Sequence, residues 1–398
     1  MGENLYIIKR KIKSLLSSIL YLMCRVFPIK NNKIVFSAFE GMGYCCHPKY
    51  IAEELINRQK NREIKYELVW LVNDVSKFFP KEIKPVRNTL LNRAYHLSTS
   101  KVWIDNARKK YGTLKRKKQF YILTWHGMIG FKSIGRLRGE AFPKIAEIVS
   151  KHDAKLVDVL LSNSNWCSDI WEKAFWNEPI AKLGSPRCDI LFNNRNKQYL
   201  IIRNRLQLSQ NAKIVMYAPT FRGGSQNKQR EVHNVEFSLD FKRILDSLEQ
   251  RFGGEWYMLL RLHPQLSLQM KNAKAYENTR IIDISKEDDM YEFLAATDVF
   301  ISDYSSASFD ASFMKIPVFL YADDIDKYVE DRGSLVWDIE DIPFPLNKTN
   351  NEICDSILEF NKEEYIDTLD KFFKDIELLE DGEASKRVVD MLEREMME

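Results

Sequence analysis

The sequence contains little of the chemistry that defines common metal and cofactor sites. The 398 residues include six cysteines, and none of them forms a CxxC pair or a spacing typical of zinc ligands. Cys45 and Cys46 are adjacent, which suits free thiols in a reducing compartment better than a disulfide framework. Neither a GxxxxGK(S/T) loop nor a GxGxxG fingerprint is present, so the sequence predicts no P-loop kinase.

The sequence also has little excess of positive over negative charge. The 60 lysines and arginines face 56 aspartates and glutamates, and a net charge of +4 predicts no nucleic-acid partner. Residues 1–30 are the exception, with a local balance of +5. Their longest uncharged stretch, residues 14–24, has 11 residues, whereas a membrane span needs about 20. We therefore predict a basic amphipathic helix on an anionic membrane surface; the alternative is a helix packed on the protein's own core.

Length and periodicity favour a two-domain α/β protein. The apolar fraction of 45% and the charged fraction of 29% are ordinary for a folded protein, and 398 residues exceed one usual core. Strand-like apolar runs alternate with helical patterns, which predicts parallel sheets covered by helices. A polar stretch at residues 193–213 interrupts this alternation. We predict a membrane-associating segment at residues 1–30 and domains at residues 31–195 and 196–398.

A histidine stands where one predicted strand ends. The apolar run FYILTW, residues 120–125, directly precedes His126 and Gly127. Ligands bind at the carboxyl ends of parallel strands, so His126 is a candidate base for a hydroxyl. Gly127 allows close approach to the backbone, and Lys132 offers a cation for a phosphate. The alternative is that His126 only packs beside Trp125.

The second half contains a similar strand end in RLHPQ, residues 261–265. Arg261 and His263 alternate along the strand, so both lie on one face. Two cations on one face suit an anionic phosphate. The alternative is an arginine that bridges to a neighbouring carboxylate.

The stretch SDYSSASFD, residues 302–310, is the strongest local signal. A strand enters a polar turn, and a helix is predicted to begin near Ser305. The hydroxyls of Ser305 and Ser306, with the unpaired N–H groups of the helix start, predict a diphosphate site. The alternative is that Ser305 merely caps the helix.

Three further loops offer candidate ligand-facing side chains: YAPTFRGG at residues 217–224, GSPRCD at residues 184–189 and DRGSLVWD at residues 331–338. They contribute Thr220, Arg222, Arg187 and Arg332, each with an ordinary surface loop as the alternative. The DDID pattern at residues 323–326 more simply opens a short helix, so we predict no metal ion.

Together these motifs resemble one known family. WHG followed by a lysine, SNSNW, GSPRCD, YAPTFR, RLHP and SDYSSASFDASFMKIPVFLY followed by DRG occur in one order. This order is similar to that of the CDP-glycerol:polyol-phosphate glycerophosphotransferases, the teichoic-acid primases and polymerases with relatives in capsule loci. The resemblance covers about residues 34–340, and GYCCHPKYIAEEL resembles the family's early Asn-Pro-Lys-Tyr helix.

The resemblance implies a GT-B-type architecture, in which two Rossmann-like domains face a cleft. The N-terminal domain would hold a lipid-linked saccharide or polyol-phosphate acceptor. The C-terminal domain would hold CDP-glycerol or CDP-ribitol, and no further cofactor is required. It also implies a peripheral enzyme at the cytoplasmic face of the cell membrane. The sequence departs from the family at Met128 and Ile129, where Thr-Pro is common, and at Cys45 and Cys46, so the acceptor's identity stays open.

The resemblance also assigns roles. His126 matches the acceptor-side histidine, a general base; His263 and Arg261 match a donor-phosphate pair; Ser305 and Ser306 match the pyrophosphate-binding helix start. The complete predicted site comprises the catalytic residues His126 and His263, the donor-phosphate residues Arg261, Ser305, Ser306, Arg222 and Thr220, the acceptor or cleft residues Lys132, Arg187 and Gly127, and the further cleft residues Arg332 and Asp303.

The predicted reaction is attack of an acceptor hydroxyl on the β-phosphorus of the CDP-polyol, with release of CMP. Positioning and charge neutralisation supply most of such catalysis, so side chains and a helix dipole suffice. Two alternatives are a GT-B glycosyltransferase that uses a nucleotide sugar and a non-catalytic membrane-bound scaffold that binds nucleotide.

Overall fold

The computed structural model describes residues 2–62, 65–220, 238–262, 279–325, 328, 335–338 and 341–397. Three predicted site residues, Arg222, His263 and Arg332, lie outside these residues. The chain divides into two compact units. The first unit comprises Met1–Met128, Ile134–Asp189 and Ile376–Glu398, and the second comprises Ile129–Ser133 and Ile190–Asp375.

The first unit is built on a parallel sheet in which seven strands are described. These are β1 (Lys30–Ser37), β2 (Glu67–Val72), β3 (Ile83–Arg87), β4 (Ser100–Asp105), β5 (Phe120–Leu123), β6 (Val159–Ser162) and β7 (Ile180–Lys182). Their order in the sheet is β3-β2-β1-β4-β5-β6-β7. Helices cover both faces of such a sheet, which explains why the inner strands are continuous buried runs rather than alternating ones.

Six of the described helices belong wholly to this unit: α1 (Gly2–Cys24), α2 (Cys46–Asn61), α3 (Leu90–Ser98), α4 (Lys144–Ala154), α5 (Asn165–Ala174) and the C-terminal helix, Ala384–Met397. Local sequence sets several of their starts. The Thr89 hydroxyl accepts the Asn92 N–H before α3, and the Ser164 hydroxyl accepts the Cys167 N–H before α5. Short 3₁₀ helices occupy Gly135–Ala141 and Pro186–Cys188.

The second unit contains another parallel sheet, of six described strands. These are β8 (Lys213–Tyr217), β9 (Trp256–Leu260), β10 (Ile281–Asp283), β11 (Val299–Ser302), β12 (Val318–Tyr321) and β13 (Leu346–Asn347), in the order β10-β9-β8-β11-β12-β13. The described helices are α6 (Asp189–Asn193), which begins at the boundary between the units, α7 (Arg195–Arg205), α8 (Phe241–Phe252), α9 (Met290–Leu294), α10 (Ala307–Ser312), α11 (Asn350–Leu358) and α12 (Lys362–Asp375). The C-terminal helix is therefore α13.

The strand order locates one ligand-binding edge in each unit. In both sheets, six neighbouring strands follow the order of a doubly wound nucleotide-binding fold, which reverses direction at its fourth strand. The reversal lies between β1 and β4 in the first sheet and between β8 and β11 in the second. Ligands bind beyond the carboxyl ends of the strands at such a point. The loops that follow these four strands, together with the neighbouring strand ends, are therefore the expected ligand-binding positions.

The structure confirms the predicted mixed α/β class with parallel sheets. Three short strands, β3, β7 and β13, are not among those predicted, because they carry too few apolar residues to stand out. The polar stretch at residues 193–213, which interrupts the alternation in the sequence, contains α7.

The two compact units also differ from the predicted domain ranges. The change of unit falls between Asp189 and Ile190, and residues 376–398 return to the first unit. Residues 376–398 return to the first unit because α13 packs into its core and forms ion pairs with α2. Val388 and Leu392 are completely buried in the first unit's core, and Arg58 of α2 forms ion pairs with Asp390 and Glu393 at 2.7 and 2.6 Å.

Helix α1 packs on the first unit through one face, and many of its described large apolar side chains are exposed on the other. Ser14, Ser17 and Tyr21 are buried, and the Ser18 hydroxyl donates to the Gly112 carbonyl at 3.0 Å. The exposed large apolar side chains in this segment are Ile12, Leu15, Leu16, Ile19, Leu22, Met23, Val26 and Phe27. Such a contiguous exposed apolar surface marks an interaction site. Among the described residues, no helix has the length and apolar character needed to cross a membrane.

Candidate active site

His126 is oriented by the loop that follows β4. Its Nδ1 lies 3.0 Å from the backbone oxygen of Asn106. A carbonyl oxygen can only accept, so Nδ1 carries the proton and Nε2 of the neutral ring keeps its lone pair. The ring stacks on Trp125 at a centroid distance of 4.7 Å and meets the edge of Phe39 at 5.7 Å. This arrangement gives His126, an exposed residue, the tautomer that a general base requires.

The same asparagine links the two strand ends at the reversal point of the first sheet. The Asn106 side-chain oxygen accepts the backbone N–H of Phe39 at 2.7 Å, so the ends of β1 and β4 are tied together. Phe39 and Trp125 both have positive φ angles, 46° and 56°, which are uncommon for bulky residues. Gly127, by contrast, is not among the glycines with positive φ. The positive φ angles beside His126 therefore belong to Phe39, Glu40 and Trp125 rather than to Gly127.

Arg187 holds the backbone of His126 in place. Its Nη1 donates to the His126 backbone oxygen at 2.7 Å, and its backbone N–H donates to Nδ1 of His47 at 3.3 Å. Burial, with the charge of Arg187 and the proximity of His126, holds the pKa of His47 well below its ordinary value. His47 is therefore neutral and can accept this hydrogen bond. The structure thus brings Arg187 to the His126 backbone.

Buried ion pairs fix the loop after β4. Lys109 pairs with Asp105 at 2.6 Å, and Arg108 pairs with Asp153 at 3.3 Å and with Glu178 at 2.8 Å. Burial raises the pKa of Asp153 to about 6, although Arg108 opposes the shift. Arg108 and Lys109 thus hold the loop that carries Asn106 through charge-assisted contacts. Because the loop is held, the Asn106 carbonyl that contacts His126 is rigidly placed.

The reversal point of the second sheet is closed by Thr220 and Asp303. The backbone N–H of Thr220 is 2.9 Å from both carboxylate oxygens of Asp303, and its hydroxyl donates to Oδ1 at 2.5 Å. Thr220 follows β8 and Asp303 follows β11, the two strands that flank the reversal. The structure therefore brings these two predicted residues together, and Asp303 fixes the loop that carries Thr220.

Lys132 belongs to the second unit and lies near the predicted diphosphate turn. Its ammonium is 5.8 Å from the ring centroid of Tyr328, which stacks on Tyr304 at 4.0 Å. A Cβ at Gly130 would sit 3.6 Å from the Cβ of Ser306. The segment that carries Lys132, which is predicted as an acceptor or cleft residue, therefore packs beside the turn predicted for the donor phosphates.

Ser305 and Ser306 precede the short helix α10, as predicted. The Ser305 hydroxyl accepts the Ala307 N–H at 3.3 Å. Ser305 therefore makes a capping contact, which is the alternative role that the sequence leaves open for it. Ser306 occupies the N-cap position without a side-chain capping bond. One of the two hydroxyls thus stabilises the helix start, and the other is not used for capping.

Arg261 follows β9 and turns toward the loop after β10. Its Nη1 donates to the backbone oxygens of Ile284 and Glu287 at 2.8 and 2.5 Å. Both of these acceptors are backbone carbonyls. The contacts hold the loop at the carboxyl edge of the second sheet.

Two residues at the first site were missed at the sequence level. Asn106 has no motif around it, and only the pairing of β4 with β5 brings it to His126. His47 does carry a signal, because it directly precedes the Pro-Lys-Tyr of the early helix motif. His47 is completely buried and accepts a hydrogen bond from Arg187, which contacts His126, so the motif helps to position the His126 site.

Comparisons with known proteins show what the chain is similar to. A family model described as CDP-Glycerol:Poly(glycerophosphate) glycerophosphotransferase matches residues 19–394. A teichoic acid poly(glycerol phosphate) polymerase of Staphylococcus epidermidis is 30% identical over 93% of this chain, which spans 52% of that relative. One from Bacillus spizizenii is 28% identical over 94% of this chain and 95% of its own length.

A solved structure of the wall teichoic acid polymerase TagF superposes with a TM-score of 0.80 at 26% identity. The alignment covers 98% of each chain. The similarity therefore extends through both compact units. The chain spans about half the length of the S. epidermidis relative and nearly all of the TagF chain in that structure.

Proposed function

Because the chain belongs to the CDP-glycerol:poly(glycerophosphate) glycerophosphotransferase family, we propose that it transfers a polyol phosphate from a CDP-activated donor. The donor is CDP-glycerol or CDP-ribitol, the acceptor is a hydroxyl of a membrane-linked chain, and CMP leaves. The polymer is of the teichoic-acid or capsule type. One observation carries the proposal: the hydrogen bond from Nδ1 of His126 to Asn106, which leaves Nε2 as a base.

The proposed chemistry uses His126 on the acceptor and the second unit on the donor. Nε2 of His126 takes the proton as the hydroxyl oxygen attacks the β-phosphorus, and the bond to the CMP oxygen breaks. Thr220, Ser306 and Lys132 lie on loops suited to the donor phosphates, with Arg222 and His263 as further predicted ligands. A GT-B-type pairing of the two Rossmann-like units is part of this proposal, and it is supported by the similarity to TagF over 98% of the chain.

A direct assay tests this function. The protein is incubated with CDP-glycerol or CDP-ribitol and a panel of lipid-linked acceptors, and both nucleotide release and product mass are measured. We expect CMP and a product heavier by one or more polyol phosphates. Release of CDP or UDP from a nucleotide sugar would establish the glycosyltransferase instead, and donor binding without turnover on any acceptor would establish a scaffold.

No metal ion enters the proposed mechanism, because side chains and backbone N–H groups neutralise the phosphate charge. Turnover should therefore persist in EDTA. Loss of turnover in EDTA, restored by a divalent ion, would contradict this part of the proposal.

We propose that α1 places the enzyme on the cytoplasmic face of the cell membrane. The support is the exposed apolar surface from Ile12 to Phe27 beside the basic residues of the N-terminal segment. Aliphatic burial and attraction to anionic lipids act together in such helices. Tyr21 and Cys24 of α1 are also part of the first unit's core. Point substitutions on the exposed face are therefore a cleaner test than deletion of the helix.

A further inference from the structure

A cavity of about 450 Å³ lies in the first unit between α1 and the carboxyl edge of the sheet. Its walls come from α1, α3 and α4 and from the loops that follow β1, β3 and β4. The volume is in the range of small-ligand sites. The residues that matter for its chemistry are Lys13, Glu40, Arg93, Arg108 and Lys110.

Four cations and one carboxylate line this cavity, and two of the cations are not neutralised by described residues. Arg108 is committed to Asp153 and Glu178, and exposed Lys110 pairs with Glu40 at 3.2 Å. Within the described part of the chain, Lys13 and Arg93 form no ion pair with a carboxylate. The cavity therefore carries excess positive charge.

Arg93 is held but not saturated. Its Nη1 donates to the Asn88 side-chain oxygen at 3.2 Å, and the Asn88 amide donates to the Glu40 backbone oxygen at 2.9 Å. Its Nε is buried and makes no hydrogen bond of normal geometry among the described residues, although the Tyr21 hydroxyl lies close enough to interact with the guanidinium. A guanidinium that makes few hydrogen bonds and no ion pair favours an anionic oxygen ligand. Arginine commonly binds phosphate through its planar guanidinium group.

The cavity lies between the apolar helix and the His126 site. On one side, Lys13, Ser14 and Ser17 belong to α1. On the other, Glu40 follows Phe39, whose ring contacts that of His126 at 5.7 Å. The Arg108 guanidinium also lies 5.7 Å from the Trp125 ring, on which His126 stacks. A ligand that enters from the α1 side thus meets the cations before it reaches the base.

We propose that this cavity binds a phosphate group of the acceptor, a phosphate-bearing amphiphile presented at the membrane surface beside α1. Arg93 and Lys13 hold the phosphate, and the rest of the acceptor extends toward His126. The inference rests on the proposed function, because it assigns a binding site to the acceptor of that reaction.

The test compares two synthetic acceptors in neutral phosphatidylcholine nanodiscs. One joins an alkyl chain to glycerol through a phosphate diester, and the other replaces the phosphate by an ether. We expect the wild-type KM to be about tenfold lower for the phosphate acceptor, since one charge-assisted hydrogen bond contributes about that factor. Arg93→Gln should remove this preference without changing kcat at saturation or the KM for CDP-glycerol, and Arg93→Lys should restore part of it.

Controls separate the possible outcomes. Lys118→Gln removes a charge from an exposed turn of the same unit and should leave the preference intact. If Arg93→Gln melts at a much lower temperature, Lys13→Gln tests the same cavity from an exposed position. An unchanged preference in the folded variants overturns the inference. If the variants instead lose binding to phosphatidylglycerol vesicles while acceptor preference persists, the cations serve bulk lipid and the inference is overturned as well.

Failure of the inference is distinguishable from failure of the proposed function. If the wild-type enzyme releases no CMP from CDP-glycerol or CDP-ribitol with any lipid acceptor, the function itself is wrong. If CMP is released and both acceptors have equal KM values, only the cavity assignment is wrong.

Discussion

Arg187 donates a hydrogen bond to the backbone oxygen of His126 at 2.7 Å, although 60 residues separate the two positions in the chain. On its other side the Arg187 backbone N–H binds the neutral ring of His47. With the Asn106 carbonyl on Nδ1, these contacts fix both the backbone and the ring of His126. A base held in this way loses little freedom when substrate binds, which favours catalysis by positioning.

The first prediction concerns His126 itself. His126→Ala should lower kcat by about 10²–10⁴-fold, the usual contribution of a general base. The affinity for CDP-glycerol should change little, because the proposed donor site is in the other unit. Measurements of CMP release and donor binding check this, with thermal melting as the folding test.

His152→Ala is a matched control for this variant. Its ring also bonds a backbone carbonyl, that of Thr113 at 2.9 Å, but it lies on α4 and contacts the ring of Tyr111 at 5.0 Å rather than those of Trp125 and Phe39. If His126→Ala is well folded and as active as His152→Ala, the base must be another group.

The second prediction concerns Thr220. Thr220→Val keeps the shape of the side chain and removes the hydroxyl that binds Asp303 and is proposed to face the donor. The KM for CDP-glycerol should rise about tenfold while the acceptor KM is unchanged. Thr368→Val removes an exposed hydroxyl on α12 that bonds only within its helix, and it should alter neither constant. Equal donor KM values for both variants would argue against a donor role for Thr220.

The third prediction concerns the outward face of α1. Replacing Leu15, Ile19 and Leu22 by serine should reduce binding to vesicles of phosphatidylcholine and phosphatidylglycerol by more than about tenfold. Each buried aliphatic side chain contributes roughly 1.5–3 kcal/mol to insertion. Thermal stability should be unaffected, because all three side chains are exposed in the folded protein.

The comparison for this experiment is a triple variant of exposed apolar residues elsewhere, Leu91→Ser, Leu200→Ser and Ile201→Ser. Its vesicle binding should match that of the wild-type protein. High salt should weaken wild-type binding, since it screens the attraction of basic residues to anionic lipid. Vesicle binding by the α1 variant equal to that of the comparison variant would contradict the membrane role.

The fourth prediction is a pH dependence of stability. Burial, with the nearby charges of Lys33 and Lys84, lowers the pKa of His96 to about 4. The unfolded chain has an ordinary histidine pKa near 6.5, so it takes up a proton first as the pH falls. The stabilising contribution is therefore present above about pH 6.5 and is lost progressively toward pH 4.

His96→Gln should remove this contribution. Between about pH 6.5 and pH 5, the wild-type protein should lose about 2 kcal/mol more unfolding free energy than the variant. Glu67 opposes the shift and the nearby Lys30 adds to it, and both remain in the variant. Urea unfolding at the two pH values measures the difference. Identical pH dependence of the two proteins would mean that His96 does not titrate on unfolding in this range.

Much of this protein is determined by local sequence. Apolar runs such as VWID and DVFI are long and uniform enough to predict buried strands. In the segments between such runs, apolar residues recur at helical spacing and predict the helices. His126 at one strand end and Ser305 and Ser306 before a helix are local facts that the structure retains. The N-terminal charge and apolar pattern likewise predict an amphipathic helix from sequence alone.

Only the tertiary structure decides which strand ends become neighbours. The carbonyl of Asn106 reaches His126 because β4 pairs with β5, and Thr220 reaches Asp303 because β8 pairs with β11. Neither pairing is encoded near the residues concerned, since it depends on which faces of distant segments bury together. Lys132 joins the second unit for the same reason, although it follows His126 by only six residues. On α1, periodicity defines an apolar face, but the fit of Ser14 and Tyr21 against the first unit turns that face toward solvent.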